Sequence, residues 1–190
     1  MAKSIEVFEE QIGKLQAGYR RFIHDILPIA IAKLDFKVDP PVADVILVPE
    51  PYWRKLRDNV WTRGATREEW ENAKAVAVFF PASFENRLRV ITELQRTDTR
   101  HNYDQNVDYN AIVFLRLGAP PTKSDEESAV LELYAALASS CFSLAIAARF
   151  GRFSVCPISN PFGDRNAEEA MRMLTAPLTP EEFAKRYGSE

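Results

Sequence analysis

The chain has 190 residues, a net charge of −3 and a mean hydropathy of −0.24. Its 46% hydrophobic and 27% charged residues are typical of a globular protein, which excludes a disordered chain, a collagen-like repeat and a disulfide scaffold. With only 7 glycines and 2 histidines, it has few residues for phosphate-cradling loops or metal sites. We therefore predict one globular domain over residues 1–190, with no metal and no cofactor.

Acidic and basic residues are interspersed along the whole chain, so no basic stripe marks a nucleic-acid-binding surface. The first ten residues, MAKSIEVFEE, contain acidic residues where a signal peptide has an apolar core, and this predicts a cytoplasmic protein. Cys141 and Cys156 lie 15 residues apart in apolar stretches. We expect two buried, reduced thiols, with a disulfide or a reactive thiol as the alternative.

The first half of the chain predicts two strands separated by helices. Apolar residues recur at the helical period over 5–32, and a β-branched strand follows at 42–48. Residues 52–60 are predicted to be helical. Thr66 begins a capping box that opens a second short helix, and an apolar strand spans 75–80.

The second half continues the alternation. Residues 84–96 predict a helix, 111–117 a third strand, and 124–150 a long apolar helix that Gly151 ends. A fourth strand is predicted at 153–156, ended by a proline. Two short helices complete the chain, at 166–174 and from Thr179 onwards.

Alternating strands and helices favour an α/β fold. We predict about four strands covered by helices, with a long N-terminal amphipathic helix and a buried Ala/Ser-rich helix near 125–150. The alternative is α+β, because the polar segment 97–110 could contain a turn that makes the third strand antiparallel. The uncharged run 133–148 is shorter than the roughly 20 residues of a spanning helix, so a core helix is preferred over a membrane segment.

Common catalytic and nucleotide-binding motifs are absent from the sequence, so no catalytic residue is assigned. Prolines follow all four strands, and polar residues then open helices. If the strands were parallel, these loops would share one edge of the sheet and favour an anionic ligand at helix N-termini. The polar loop around His101 is a second candidate. The candidate ligand-binding residues are Ser83, Asn86, His101, Asp104, Ser159, Asn160, Asp164 and Arg165.

The stretch from 50 to 70 mixes tryptophan, tyrosine and arginine, the residues enriched at interface hot spots. Its alternative is a solvated helix pair with tryptophans in the core. The candidate partner-binding residues are Tyr52, Trp53, Arg54, Arg57, Trp61 and Arg63.

We therefore expect a non-catalytic component that binds another protein or itself. A small α/β enzyme or binding protein for an anionic small molecule is the alternative. A nucleic-acid accessory protein is a third reading, which the acidic charge balance disfavours, and no membrane partner is expected.

Overall fold

The structure is a computed structural model that describes residues 2–59, 66–81, 109–118 and 126–188, with backbone alone at 2–13, 57–59 and 126–129. The predicted helix at 84–96 lies outside these ranges. In chain order the described elements are α1 (Ala2–Lys33), β1 (Ala43–Pro49), α2 (Glu50–Asn59), α3 (Arg67–Asn72), β2 (Ala75–Phe79), β3 (Ala111–Leu117), α4 (Glu126–Phe150), β4 (Ser154–Ile158), a 3₁₀ turn (Pro161–Gly163), α5 (Arg165–Thr175) and α6 (Pro180–Tyr187).

The four strands form one mixed sheet in the order β1-β3-β2-β4. β1 and β3 are parallel, whereas β2 is antiparallel to both β3 and β4. Three strands therefore finish at the same end of the sheet, at Pro49, Leu117 and Ile158, which we call the carboxyl end. β2 finishes at the opposite end, at Phe79. The predicted four-stranded α/β-type fold is confirmed, and β3 is reversed relative to β2, as its alternative allowed.

Helices cover both faces of the sheet. Val45 and Leu47 of β1 join a core with α1, α4, α5 and α6, whereas Ile46 and Val48 face a second core with α2 and α3. This alternation follows from the two-residue period of a strand. All five residues of β2 are buried, as expected for an inner strand covered on both faces.

Helix α4 is the central helix of the larger core, in contact with α1, α5, β2, β3 and β4. Of the helices in the described ranges, it alone contains a segment, Val130–Phe150, long and apolar enough to cross a bilayer. That segment has a mean hydropathy of 1.7, but most of it is buried inside the fold. The core helix of a globular protein can be just as long and apolar. Because most of this segment is buried, it agrees with the predicted core helix.

β4 continues through a proline that was predicted to end it. The strand runs to Ile158 and includes Pro157, which pairs in register with Val76 of β2. β4 is an edge strand of the described sheet, and proline is tolerated at a sheet edge because its missing N–H interrupts few ladder bonds. The predicted boundary at Cys156 is therefore wrong by two residues.

Charged contacts attach α1 to the rest of the fold. Arg20 donates both Nε and Nη2 to the fully buried Asp44 at the start of β1, with an Nη2–Oδ2 distance of 3.1 Å. Lys33 at the end of the helix donates to Glu169 of α5 at 2.7 Å. A carboxylate as buried as Asp44 needs such partners, because an unpaired charge in the interior is strongly destabilising.

The C-terminal helix α6 packs directly on α1. The buried ring of Tyr187 meets Phe22 edge to face, and its hydroxyl donates to Asp25 at 2.7 Å. The Tyr187 carbonyl accepts from Tyr134 of α4 at 2.9 Å. Gly18 makes this approach possible, because a Cβ there would collide with the Tyr187 carbonyl, whose carbon would lie 2.7 Å away.

We predict that Gly18→Ala destabilises the protein by about 1–3 kcal/mol, as overpacking does in a close-packed interior. Helix propensity alone predicts the opposite sign, a gain of about 1 kcal/mol for alanine in a helix. Urea denaturation followed by circular dichroism measures the difference. A variant as stable as the wild type, or more stable, would contradict the close contact.

Candidate functional site

The predicted ligand-binding residues after β4 do not leave a helix N-terminus open for an anion. Ser159 and Asn160 are exposed at the carboxyl end of the sheet. Asp164 caps α5, its side chain accepting from the Ala167 N–H at 3.1 Å, and Arg165 is exposed in the first turn. Because the chain's own carboxylate occupies this N-terminus, an anionic ligand would have to displace it.

A charged pair joins two strands and two helices at the carboxyl end. Arg116 at the end of β3 donates through Nε and Nη2 to both oxygens of Glu50, each at 2.7 Å. Its Nη1 donates to the Glu71 carbonyl of α3 at 2.7 Å, and its guanidinium lies over the Trp53 ring. Hydrogen bonding from Arg116 holds the pKa of Glu50 below its usual value, against the opposing effect of burial.

A second pair lies nearby, where Lys74 and Glu132 approach to 3.6 Å with both side chains largely buried. Lys74 immediately precedes β2, and Glu132 belongs to α4. Lys74 and Arg116 are thus each paired within the chain. The two pairs hold this end of the fold together, and neither cation is left open to an anionic ligand.

The sequence predicted one shared edge for all four strand-end loops, and the topology corrects this. Because β2 is antiparallel, its end lies opposite the ends of β1, β3 and β4. The residues predicted beyond β2, and those of the polar loop, lie outside the described ranges. These are Ser83, Asn86, His101 and Asp104.

The aromatic and basic stretch lies partly in the core. Trp53 is 1% exposed, and its Nε1 donates to the Trp70 carbonyl at 3.0 Å. A side chain this buried cannot contact a partner, so Trp53 is corrected from a surface residue to a core residue. Its neighbour Tyr52 is half-buried and Arg54 is exposed. Of the other candidates, Trp61 and Arg63 lie outside the described ranges, and Arg57 is described by its backbone alone.

A cavity of about 440 Å³ opens elsewhere, between the last turns of α4 and the first half of β4. We call it the α4–β4 groove. Helix α4 ends beside it because Gly151 adopts a left-handed conformation, φ 59°, and turns the chain back into β4. The groove is lined by Ser143, Ile146, Ala147, Phe150, Arg152, Phe153, Ser154 and Cys156.

Two large apolar side chains of the groove remain in contact with solvent. Ile146 is 44% exposed and Phe150 is 66% exposed. They are four residues apart and therefore lie on one face of α4. β4, which forms the opposite wall, is hydrogen-bonded to β2 on one side and lies at the edge of the described sheet. An exposed aromatic group beside a cavity at a sheet edge is typical of an interaction surface.

The polar groups of the groove are few. The Ser143 hydroxyl donates to the sulfur of Cys156 at 3.3 Å. The lining residues include no carboxylate and no imidazole, so they supply no evident general base. Across the described ranges, no group of three His, Cys, Asp or Glu side chains is placed to hold a metal ion. The lining of the groove therefore consists of apolar surface, two hydroxyls, one thiol and one guanidinium.

Sequence reasoning missed this groove. The signal was present as Ile146 and Phe150 at helical spacing near the end of the long apolar helix. The rest of that helix is equally apolar, however, and the sequence does not show which turns other elements cover. Arg152, the basic residue that follows the helix stop, was likewise not singled out.

No protein-family model matches the chain, and neither the curated proteins nor the solved structures include a match.

The two thiols differ in access. Cys141 is fully buried in α4, and burial raises the pKa of its thiol, whereas Cys156 is half-buried in the groove. The expectation of two buried thiols therefore holds for Cys141 alone.

We predict that a disulfide reagent such as DTNB modifies one thiol of the native chain and the second only after unfolding. Cys156→Ser should abolish the native reaction and Cys141→Ser should leave it. Equal rates at both positions would contradict this assignment.

The Glu50–Arg116 pair predicts a pH-dependent stability. The folded-state pKa of Glu50 is lowered, so its contribution is present above the unfolded pKa and is lost as the pH falls through the folded value. Glu50→Gln should cost about 1 kcal/mol at pH 7, after allowing for solvent screening, and much less near pH 3. Urea denaturation at pH 7 and at pH 3 measures the free energy of unfolding of each variant. Glu68→Gln on α3 is the exposed control. A cost that does not change with pH would refute the effect.

Proposed function

We propose that the chain is a non-catalytic interaction component that binds a protein partner at the α4–β4 groove. The observation that carries the proposal is the exposed Phe150 side chain at the rim of an open cavity. Burying a side chain of this size stabilises an association by about 2 kcal/mol, and Ile146 on the same face adds to it. An exposed anchor beside a pocket that accepts a side chain in return is the arrangement found at interface hot spots.

The chemistry of the groove favours binding over catalysis. Its lining combines apolar surface with the Ser143 and Ser154 hydroxyls, the Cys156 thiol and the Arg152 guanidinium. A reaction would need a positioned acid or base, which the lining residues do not supply. The two thiols are free, and the location we propose, the cytoplasm, is one in which thiols stay reduced.

Photo-crosslinking tests the proposal. The photoreactive residue benzoylphenylalanine in place of Phe150 should capture a protein in the cells that make this chain. Adding Ile146→Asp should abolish that product, because a charge in the apolar wall opposes docking. The matched control carries the photoreactive residue in place of Met173, a 58% exposed residue of α5.

The expected result is a defined crosslinked species from position 150 that position 173 does not give. The proposal fails if position 150 captures nothing, or if both positions capture the same proteins. It also fails if the species survives Ile146→Asp. Thermal denaturation of each purified variant verifies that it remains folded.

A further inference from the structure

We infer that the partner segment bound in the α4–β4 groove is acidic, with a large apolar side chain flanked by carboxylates. The inference rests on the proposed function and adds the chemistry of the partner. Its starting point is the pair Arg149 and Arg152, which lie on either side of Phe150 and are both exposed. Two positive charges thus border the apolar anchor of the groove.

These two arginines differ in their pairing from five others in the fold, although Arg165 and Arg172 of α5 likewise make no ion pair with a described residue. What distinguishes Arg149 and Arg152 is their place in the sequence beside Phe150. Five arginines in the described ranges make ion pairs with carboxylates of this chain: Arg20, Arg54, Arg67, Arg116 and Arg186. Arg149 and Arg152 make no ion pair or hydrogen bond with a described residue. Within the described part of the chain nothing pairs with these two guanidinium groups, and carboxylates of a partner can do so.

The charge of Arg149 can be explained by its position at the end of a helix, so it does not by itself require a binding partner. Arg149 lies in the last turn of α4, where the helix dipole favours a cation. Arg152 lies beyond the helix, past Gly151, and lines the cavity itself. The dipole therefore does not account for Arg152, which gives the lining of the groove one positive charge.

The same two positive charges disfavour a second copy of the chain as the occupant of the α4–β4 groove. In a two-fold interface the same patch meets itself, so Arg149 and Arg152 would approach their own copies around Phe150. Like charges at an interface cost affinity, and a partner of opposite charge gains it. The apolar cavity accepts a large side chain, and Arg152 in its lining, with the exposed Arg149 next to Phe150 in the sequence, selects carboxylates beside that side chain.

Fluorescence anisotropy with the full chain tests the inference. The probe is a labelled peptide with a central phenylalanine and two glutamates on each side. One comparison peptide replaces the glutamates by lysines, and another replaces the phenylalanine by serine. We expect the first peptide to bind at least about tenfold more tightly than either comparison, with an affinity that falls as salt rises.

Charge reversal provides the matched variants. The double variant Arg149→Glu and Arg152→Glu should reverse the preference, so that the lysine peptide binds more tightly than the glutamate peptide. Arg165→Glu, an exposed reversal on α5 at one of the sequence-predicted ligand positions, should leave the preference unchanged. All the substituted side chains are exposed, and thermal denaturation verifies that the variants fold.

The inference is overturned if no peptide binds, if the glutamate and lysine peptides bind equally, or if the double variant keeps the original preference. A crosslink from position 150 to a second copy of the chain also overturns it. These failures are distinct from failure of the proposed function. Crosslinking to a partner that is indifferent to Arg149→Glu and Arg152→Glu would retain the docking site and reject its acidic specificity.

Discussion

Helix α4 is apolar around nearly its whole circumference, and covering it determines how the other elements are arranged. The sheet covers one side, while α1 and α5 pack on others. The buried stretch includes Ala136, Leu137 and Ala145, none of which reaches solvent. Small side chains on this helix permit close approach, and burying the large ones is the main favourable term in folding. A helix of this composition needs neighbours on all sides, and the rest of the chain provides them along most of its length.

Among the described elements, those that cover α4 end before the helix does. α4 continues to Phe150, while β4 starts beside its last turns and has a strand neighbour on one side. The groove is the consequence of this mismatch in length, combined with the turn at Gly151 that brings Arg152 and Phe153 to its rim. The same constraint that makes the core leaves an apolar, positively bordered surface at one corner of the fold.

At the other end of the sheet, charge has a structural role. β2 runs against its neighbours, so Lys74 enters the sheet where β1 and β3 leave it. Lys74 pairs with Glu132, and Arg116 pairs with Glu50. In an all-parallel sheet this end would be the usual ligand site. Here Lys74 and Arg116 are paired with carboxylates of the chain, and the open cavity lies near the opposite end.

Local structure was determined by the sequence alone. The capping box of Thr66, the strand over 111–117 and the helix stop at Gly151 all follow from hydrogen bonds and backbone preferences within a few residues. The direction of β2, the burial of Trp53 and the exposure of Phe150 were decided by the tertiary structure. Each of these depends on residues far apart in the chain, because strand pairing and helix cover are set by the total area that distant segments bury together. Periodicity identified an apolar helix, and only its neighbours determined which turns remained exposed to solvent.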